Sequence, residues 1–400
     1  MERFFDQWVY HGGYPEVEVS YDWNAKKARA EVVVKQKQKV DALTPLFTFS
    51  TSLVFGGEDG ETVEAVTISE AEHTFHVPLE ARPAYVRFDP AGDVLMALTF
   101  KKPKAMLLAQ LAGDKTLAGR YDAIGQLGKL DSDEAVAAIA ARLHDGEAFW
   151  GERARAAGVL AAMDNDTVAR HLLREANAED DRVRLAVVQG LSKLDNRTCE
   201  DTLLVAVRDD AHPGVVAAAI SGLAKLRCER AVKPIEASLA RDSHNETIRN
   251  AALRALAELD AAASLDAMMQ FMREGQPRFA RRTAIGAVAR LGAALEEKDA
   301  VAKALIGLLE SGSGRTRVSA LDGLGTLGAE ETLPEIRAFI HTSKVENEVK
   351  RAEAAIRKIE EARSQPAAVK ALRGEVKDLE EELKSLLEKV EKLEALVEKE

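Results

Sequence analysis

Between about residues 120 and 360, apolar positions recur at the three- and four-residue spacing of a helix face, and they do so in eight windows. The windows are 120–130, 153–163, 184–194, 216–226, 249–259, 281–291, 317–327 and 349–359, and six of the eight open on Arg. Their fourth position is Ala123, Ala156, Val187, Ala219, Ala252, Ala284, Ala320 and Ala352. Their eighth is Leu127, Leu160, Leu191, Leu223, Leu256, Val288, Leu324 and Ile356. A second apolar-periodic stretch precedes seven of them, at 135–143, 168–173, 203–207, 235–239, 265–272, 301–309 and 333–340. Polar turns such as 179–181, 209–213 and 311–314 separate the two stretches. The windows return every 31 to 36 residues. One such helix pair cannot bury its own apolar face, so neighbours must stack, and the period predicts an α-solenoid.

From Pro15 to about Phe100 the period changes to two. Val17, Val19 and Tyr21 alternate with polar residues, Asn24 to Lys27 form a hairpin turn, and Val32 and Val34 continue into Gln36 and Gln38. Further strands are predicted at 46–55, 63–68, 73–77, 85–88 and 94–100, which together suit a small antiparallel β-sandwich. Before it, Phe4, Phe5, Trp8 and Val9 give residues 1–13 one apolar helix face, expected to pack on something upstream, and Gly12 to Pro15 break that helix. The last stretch, 367–400, carries a heptad seam. Val369, Val376, Leu383, Val390 and Val397 fall at a, and Leu372, Leu379, Leu386 and Leu393 at d. β-Branched residues at a with Leu at d predict a parallel two-stranded coiled coil, hence a homodimer through residues 367–400.

The expected class is therefore mainly α with an N-terminal β-sandwich. The divisions are 1–13, a terminal helix of a missing upstream domain; 14–102, the sandwich; 103–362, the solenoid; and 367–400, the coiled coil. Composition narrows the function. With 400 residues, 46% hydrophobic and 30% charged, the chain suits a folded protein of two or three domains. A net charge of −11 makes nucleic acid a poor partner. No apolar run spans a bilayer and no secretory signal opens the chain, so no membrane partner is expected. Cys199 and Cys228 alone make no disulfide framework, which suits a reducing, cytoplasmic setting for the chain as given. The compartment of any longer precursor stays open.

The eight windows resemble HEAT repeats in their short bacterial form. A second resemblance rests on Phe4-Phe5-Asp6-Gln7-Trp8-Val9, Gly13-Tyr14-Pro15 and the strand Val34-Lys35-Gln36-Lys37-Gln38. These are similar to zinc aminopeptidases of the aminopeptidase N type, where the catalytic domain's last helix hands over to a β-sandwich. Pro83, Val86, Asp89-Pro90 and Val94-Leu95 resemble that sandwich's closing strands, and Phe149-Trp150-Gly151-Glu152-Arg153 the turn into a helical C-terminal domain. That family's activity resides in an upstream domain carrying His-Glu-x-x-His, a further Glu ligand and Gly-x-Met-Glu-Asn. None of the eight histidines here is followed by Glu, and the Gly-x-Met-Glu-Asn string is missing too. No catalytic or metal residue is carried over. The resemblance implies zinc only for the missing domain, so no cofactor is expected in this chain.

Several signals have a plain and a functional reading. His73 and His76, three apart on a strand, point to opposite faces and are read as solvated rather than metal-binding. Gly323, Gly325 and Gly328 match Gly-x-Gly-x-x-Gly, but inside a repeat helix rather than after a strand. The Arg at window position one is read as bonding turn groups of adjacent repeats rather than lining an acidic-ligand groove. Phe149 and Trp150 either anchor a neighbouring domain or pack beneath the first repeats. Arg278, Arg281 and Arg282, with Arg315 and Arg317 one repeat on, make a basic patch in an acidic chain, either solvated or a partner site. Phe5, Trp8, Phe149, Trp150, Arg278, Arg281 and Arg282 are thus the candidate partner-binding residues. The leading reading is a non-catalytic scaffold binding protein or peptide, aminopeptidase-derived by descent. The alternative is the C-terminal part of an active metalloaminopeptidase with its catalytic domain upstream. A third, a relative of the aminopeptidase-like subunit of a transcription complex, fits the acidic balance and repeats less well.

Overall fold

Alternating side chains build the first domain. Val17 and Val19 of β1 (Glu16–Asn24) and Ala30, Val32 and Val34 of β2 (Arg29–Gln36) all turn inward and are buried. The two strands pair antiparallel, with Val19 opposite Val34. We describe the chain from a computed structural model covering residues 2–57, 60–130, 132–163, 167–194, 196–295 and 298–364, together with 376, 379 and 383. The other strands are β3 (Phe49–Gly57), β4 (Gly60–Ile68), β5 (Glu72–Pro78), β6 (Tyr85–Phe88) and β7 (Ala97–Phe100). They form a four-stranded sheet, β5-β2-β1-β7, and a three-stranded sheet, β4-β3-β6. Phe49, Leu53, Phe55, Ile68 and Phe88 of the second sheet share one core with the valines of the first.

One pairing departs from the antiparallel expectation: β7 runs parallel to β1, Val17 opposite Leu98. After β6 the chain leaves the second sheet and joins the far edge of the first, a crossover that alternation alone does not encode. Gln36 and Gln38 occupy inward positions where the pattern would place valine. Gln36 both donates to and accepts from the backbone of Phe47, at 2.8 and 3.0 Å, and Gln38 donates to Gln36 Oε1 at 2.8 Å. The two amides thereby satisfy the loop between β2 and β3 inside the core.

The described residues fall into two compact units, Met1–Leu226 and Arg227–Glu400. The first unit holds the N-terminal helix α1 (Glu2–Phe5), continued by a wider turn over Asp6–Tyr10, the sandwich, and four helix pairs. The pairs are α2 (Lys104–Gly113) with α3 (Leu117–Leu127), α4 (Asp133–His144) with α5 (Trp150–Leu160), α6 (Val168–Arg174) with α7 (Asp181–Leu191), and α8 (Arg197–Asp209) with α9 (Pro213–Lys225). Helix α2, which no window predicted, packs on β6 and β3. The second unit holds α10 (Val232–Ala237) with α11 (Thr247–Glu258), α12 (Leu265–Gln270) with α13 (Arg278–Ala294), α14 (Lys298–Gly307) with α15 (Gly314–Leu327), and α16 (Leu333–Thr342) with α17 (Glu346–Ser364).

The second helices stack on one another: α3, α5, α7 and α9 in the first unit, α11, α13, α15 and α17 in the second. This is the solenoid arrangement that the period predicts. The fourth window position, Ala or Val, is 0% exposed in all eight helices, which is what close helix approach requires. The eighth position is equally buried except at Ile356 on the last helix, where no further repeat covers it among the described residues. Each buried Leu there contributes about 1.5–3 kcal/mol of apolar burial. The coiled coil expected at 367–400 lies outside the described residues apart from Val376, Leu379 and Leu383, which are helical and exposed.

Candidate functional site

The window-initial arginines close the turns of their own repeats, and four of the six also bond the next repeat. Arg120 donates to Glu152 Oε1 of the next repeat at 2.8 Å and to the Asp114 carbonyl at 2.8 Å. Arg153 bonds the Leu143 carbonyl and Glu175, Arg184 the Ala178 carbonyl and Asp210, and Arg317 the Ser311 carbonyl and Glu348. Arg249 bonds the Leu239 carbonyl and Asp242 and forms an ion pair with Glu246. Each guanidinium fork closes a turn whose carbonyls the preceding helix leaves free. Burial alone would push the Glu152 carboxyl up, but hydrogen bonds from Arg120 and Arg142 outweigh it and hold it below the usual range. Glu348 is likewise held low, chiefly by its hydrogen bond from Arg317.

The doubled Arg of α13 divides. Arg281 donates to the Met272 carbonyl at 2.9 Å, the structural role of its window position. Arg282 projects instead into an open groove of about 600 Å³ between the outer faces of α11 and α13. Arg254, Phe279, Gly286 and Arg290 line the same groove, with Asn250, Thr283 and Ser319 beside them. Arg254, Arg282 and Arg290 are exposed, and among the described residues none forms an ion pair or hydrogen bond. One carboxylate, Glu258, also lines the groove. Arg278 stacks on Phe279 at 4.9 Å from its ring centre. Arg254 and Arg290 occupy window positions six and ten, which the sequence reading did not single out.

The aromatic candidates are placed differently from one another. Trp8 packs on Phe47 of the sandwich core, ring centres 5.0 Å apart, while Phe5 stays 45% exposed beside exposed Phe4, Val9 and Tyr10. The expected single apolar face is thus split between an inward Trp and an outward patch. Trp150 lies under the Arg182 guanidinium of the next repeat at 4.0 Å, and Phe149 beside it is 47% exposed.

A second cavity, about 690 Å³, opens between the sandwich and α3. Its buried cations are already paired: the Lys102 side chain bonds Asp122 and Gln110 at 2.8 and 2.7 Å, and Arg87 bonds Thr116 and the Pro90 carbonyl. Burial pushes the Lys102 amine down, and the charge of Asp122 offsets this only in part. No group of three or more His, Cys, Asp or Glu among the described residues is placed to hold a metal ion. His73 Nε2 accepts from the Ser69 and Glu70 backbone N–H groups, so that ring closes a turn. Gly323, Gly325 and Gly328 lie in and at the end of α15, and no described helix is long and apolar enough to cross a membrane.

A family profile for HEAT repeats matches residues 169–257 and 200–289. A sequence search of curated proteins found no match. Among solved structures, the chain is similar to aminopeptidase A of Legionella pneumophila in complex with aspartic acid, with 14% identity and a TM-score of 0.50, over 89% of this chain and 50% of that one. The chain spans about half the length of that protein. It is also similar to the complex of CpcE and CpcF of phycocyanin lyase from a Nostoc species, at 21% identity and TM-score 0.36, over 65% and 96% of the two chains. A designed armadillo repeat protein matches at 18% identity and TM-score 0.35, over 47% and 98%.

Proposed function

We propose that this chain is a non-catalytic, protein-binding scaffold descended from the C-terminal region of a zinc aminopeptidase of the aminopeptidase N type. The observation that carries the binding role is the groove of α11 and α13. The window-initial arginines are occupied by turn carbonyls and by carboxylates, whereas Arg254, Arg282 and Arg290 are exposed and left without a partner among the described residues. Descent is supported by a sandwich followed by stacked helices, shared with the Legionella aminopeptidase fold. In this reading residues 367–400 join two copies, and the divisions 1–13, 14–102 and 103–362 are inherited.

One observation favours a second reading, the C-terminal part of an active metalloaminopeptidase whose catalytic domain lies upstream. Phe4, Phe5, Val9 and Tyr10 form an exposed apolar patch of the kind that another domain covers. Neither reading puts zinc or turnover in this chain, and the two part on whether an open frame upstream of it encodes His-Glu-x-x-His. The full chain, assayed for bound zinc and for hydrolysis of aminoacyl-coumarin substrates, should hold no stoichiometric zinc and release no product. One tightly bound zinc, or turnover abolished by a chelator, overturns the scaffold reading.

A further inference from the structure

We propose that the groove between α11 and α13 receives an extended acidic peptide segment, Arg282 and Arg290 each taking a carboxylate and Phe279 seating an apolar side chain. This deepens the scaffold reading and rests on it.

Three exposed arginines meet at this one groove. Arg351 occupies window position three on α17 yet is paired with Asp322 at 3.5 Å, and Arg249, Arg281 and Arg317 are bonded to turns and carboxylates. Arg254, Arg282 and Arg290 are not, although all three open onto the same groove. Guanidinium forks without a carboxylate match the planar, bidentate geometry of Asp and Glu side chains.

The spacing suits an extended chain. Arg282 and Arg290 are eight residues apart on α13, a rise of about 12 Å at 1.5 Å per residue. Four residues of extended peptide advance about 13 Å, and residues i and i+4 then point to the same side. Acidic residues four apart therefore reach the two arginines together. Phe279 lies one helical turn before Arg282, where an apolar side chain at i−2 would fall. Gly286 marks the midpoint of the groove; it is exposed, and a Cβ built there meets nothing within 4 Å, so the floor is open where the peptide backbone crosses. Asn250, Thr283 and Ser319 supply hydrogen-bonding groups along the walls.

A nucleic-acid strand would meet the same arginines, but only three of them line the groove, together with Glu258. A long polyanion would run past the three arginines onto a chain of net charge −11, whereas a short peptide need not.

The test is fluorescence anisotropy on the full chain with three probes. The first is a labelled peptide with Leu at i−2 and Glu at i and i+4 in a Gly/Ser background. The second carries Gln for both Glu residues, and the third is a labelled single-stranded oligonucleotide. The acidic peptide should bind saturably and at least roughly tenfold more tightly than the Gln peptide, with affinity falling as salt rises. The pair Arg282→Glu and Arg290→Glu should abolish that difference. Gly286→Leu should abolish binding without lowering the melting temperature, since it fills the groove while improving helix propensity. Equal binding of the two peptides, tighter binding of the oligonucleotide, unchanged affinity in the variants, or no saturation up to on the order of 1 mM each overturns the proposal. Any of these leaves a scaffold binding by another surface, whereas zinc-dependent turnover would overturn the scaffold reading whatever the peptide does.

Discussion

His144 Nε2 lies 3.2 Å from His171 Nδ1, and His144 Nδ1 lies 2.8 Å from Glu175 Oε1, so two neighbouring repeats share one imidazole pair. With Nδ1–H of His144 donating to Glu175, its Nε2 is left to accept from His171. Protonating His171 on its other nitrogen keeps that hydrogen bond but places a cation in a partly buried site beside Arg170 and Arg174. Burial, then the charges of His144, Arg170 and Arg174, hold the His171 imidazole below its usual range. A lowered folded-state pKa contributes stability that is fully present above the ordinary imidazole value and lost as pH falls below it. Thermal melts at about pH 7.5 and 5.5 should therefore show an acid loss of stability that His171→Gln reduces. An identical loss in the variant would refute the pair as its source.

Glu152 is 0% exposed and receives both Arg120 and Arg142 on Oε1, at 2.8 and 2.7 Å. Removing it leaves two largely covered guanidiniums facing one another. Glu152→Ala should cost about 3 kcal/mol, the lower end for breaking a buried pair because both arginines keep some solvent. Glu152→Gln, which retains an acceptor, should cost clearly less. Denaturant titration of the full chain reads both, and equal costs would show that the charge contributes nothing.

The N-terminal helix separates two roles that its sequence merges. Trp8 packs on fully buried Phe47, and Gln7 bonds the Thr48 backbone as donor at 2.9 Å and acceptor at 2.6 Å. Trp8→Ser should destabilise the sandwich by about 3 kcal/mol. Phe5→Ser, on the exposed side, should change stability by no more than about 0.5 kcal/mol and reduce binding of a hydrophobic dye. Equal destabilisation by both changes would mean that the whole face is buried.

Much of the architecture is legible in periodicity. Each second helix begins two or three residues before its window, because the Arg that marks the window must reach back to the turn it closes. Helix α2 escaped, since Met106, Leu107 and Leu111 form one short apolar stretch that follows a strand rather than another repeat. The parallel pairing of β7 also escaped, because alternation fixes which face a side chain takes and not which strand lies beside it. The groove is the least legible part. Arg282 and Arg351 both lie on outer helix faces, and only the stacked structure shows that Asp322 reaches Arg351 while no described carboxylate pairs with Arg282.

The heptad seam over 367–400 carries a prediction from sequence. Facing charges at g and e are of mixed sign, with Lys389 opposite Glu394 favourable and Glu375 opposite Glu380 unfavourable. Each exposed pair contributes only about 0.2–1 kcal/mol, so the apolar seam decides. Sedimentation should give a dimer that Leu379→Asp with Leu386→Asp converts to monomer while helical content stays near that of the parent. A monomeric parent at tens of micromolar would remove the seam as a dimer contact.

Two glycines in the stacked helices should respond in opposite senses to an added side chain. A Cβ at Gly325 would sit 3.1 Å from the Ala355 Cα, so α15 and α17 meet at a point where only hydrogen fits comfortably. The obstacle is backbone rather than the tip of a flexible side chain, so relief requires moving a whole helix. Gly325→Val should therefore cost about 2–3 kcal/mol, from overpacking and from a β-branched residue in a helix. Gly286, one helix earlier in the stack on α13, has nothing within 4 Å of the same built atom. Gly286→Ala should stabilise by roughly 0.5–1 kcal/mol, because alanine restricts the unfolded chain and favours helix at no steric cost. Both residues lie mid-helix, and helix propensity alone gives both changes at most a mild effect. A large loss confined to Gly325 would locate its requirement at the α15–α17 contact and leave its place in a Gly-x-Gly-x-x-Gly string without functional weight. Equal effects at the two positions would contradict the close approach.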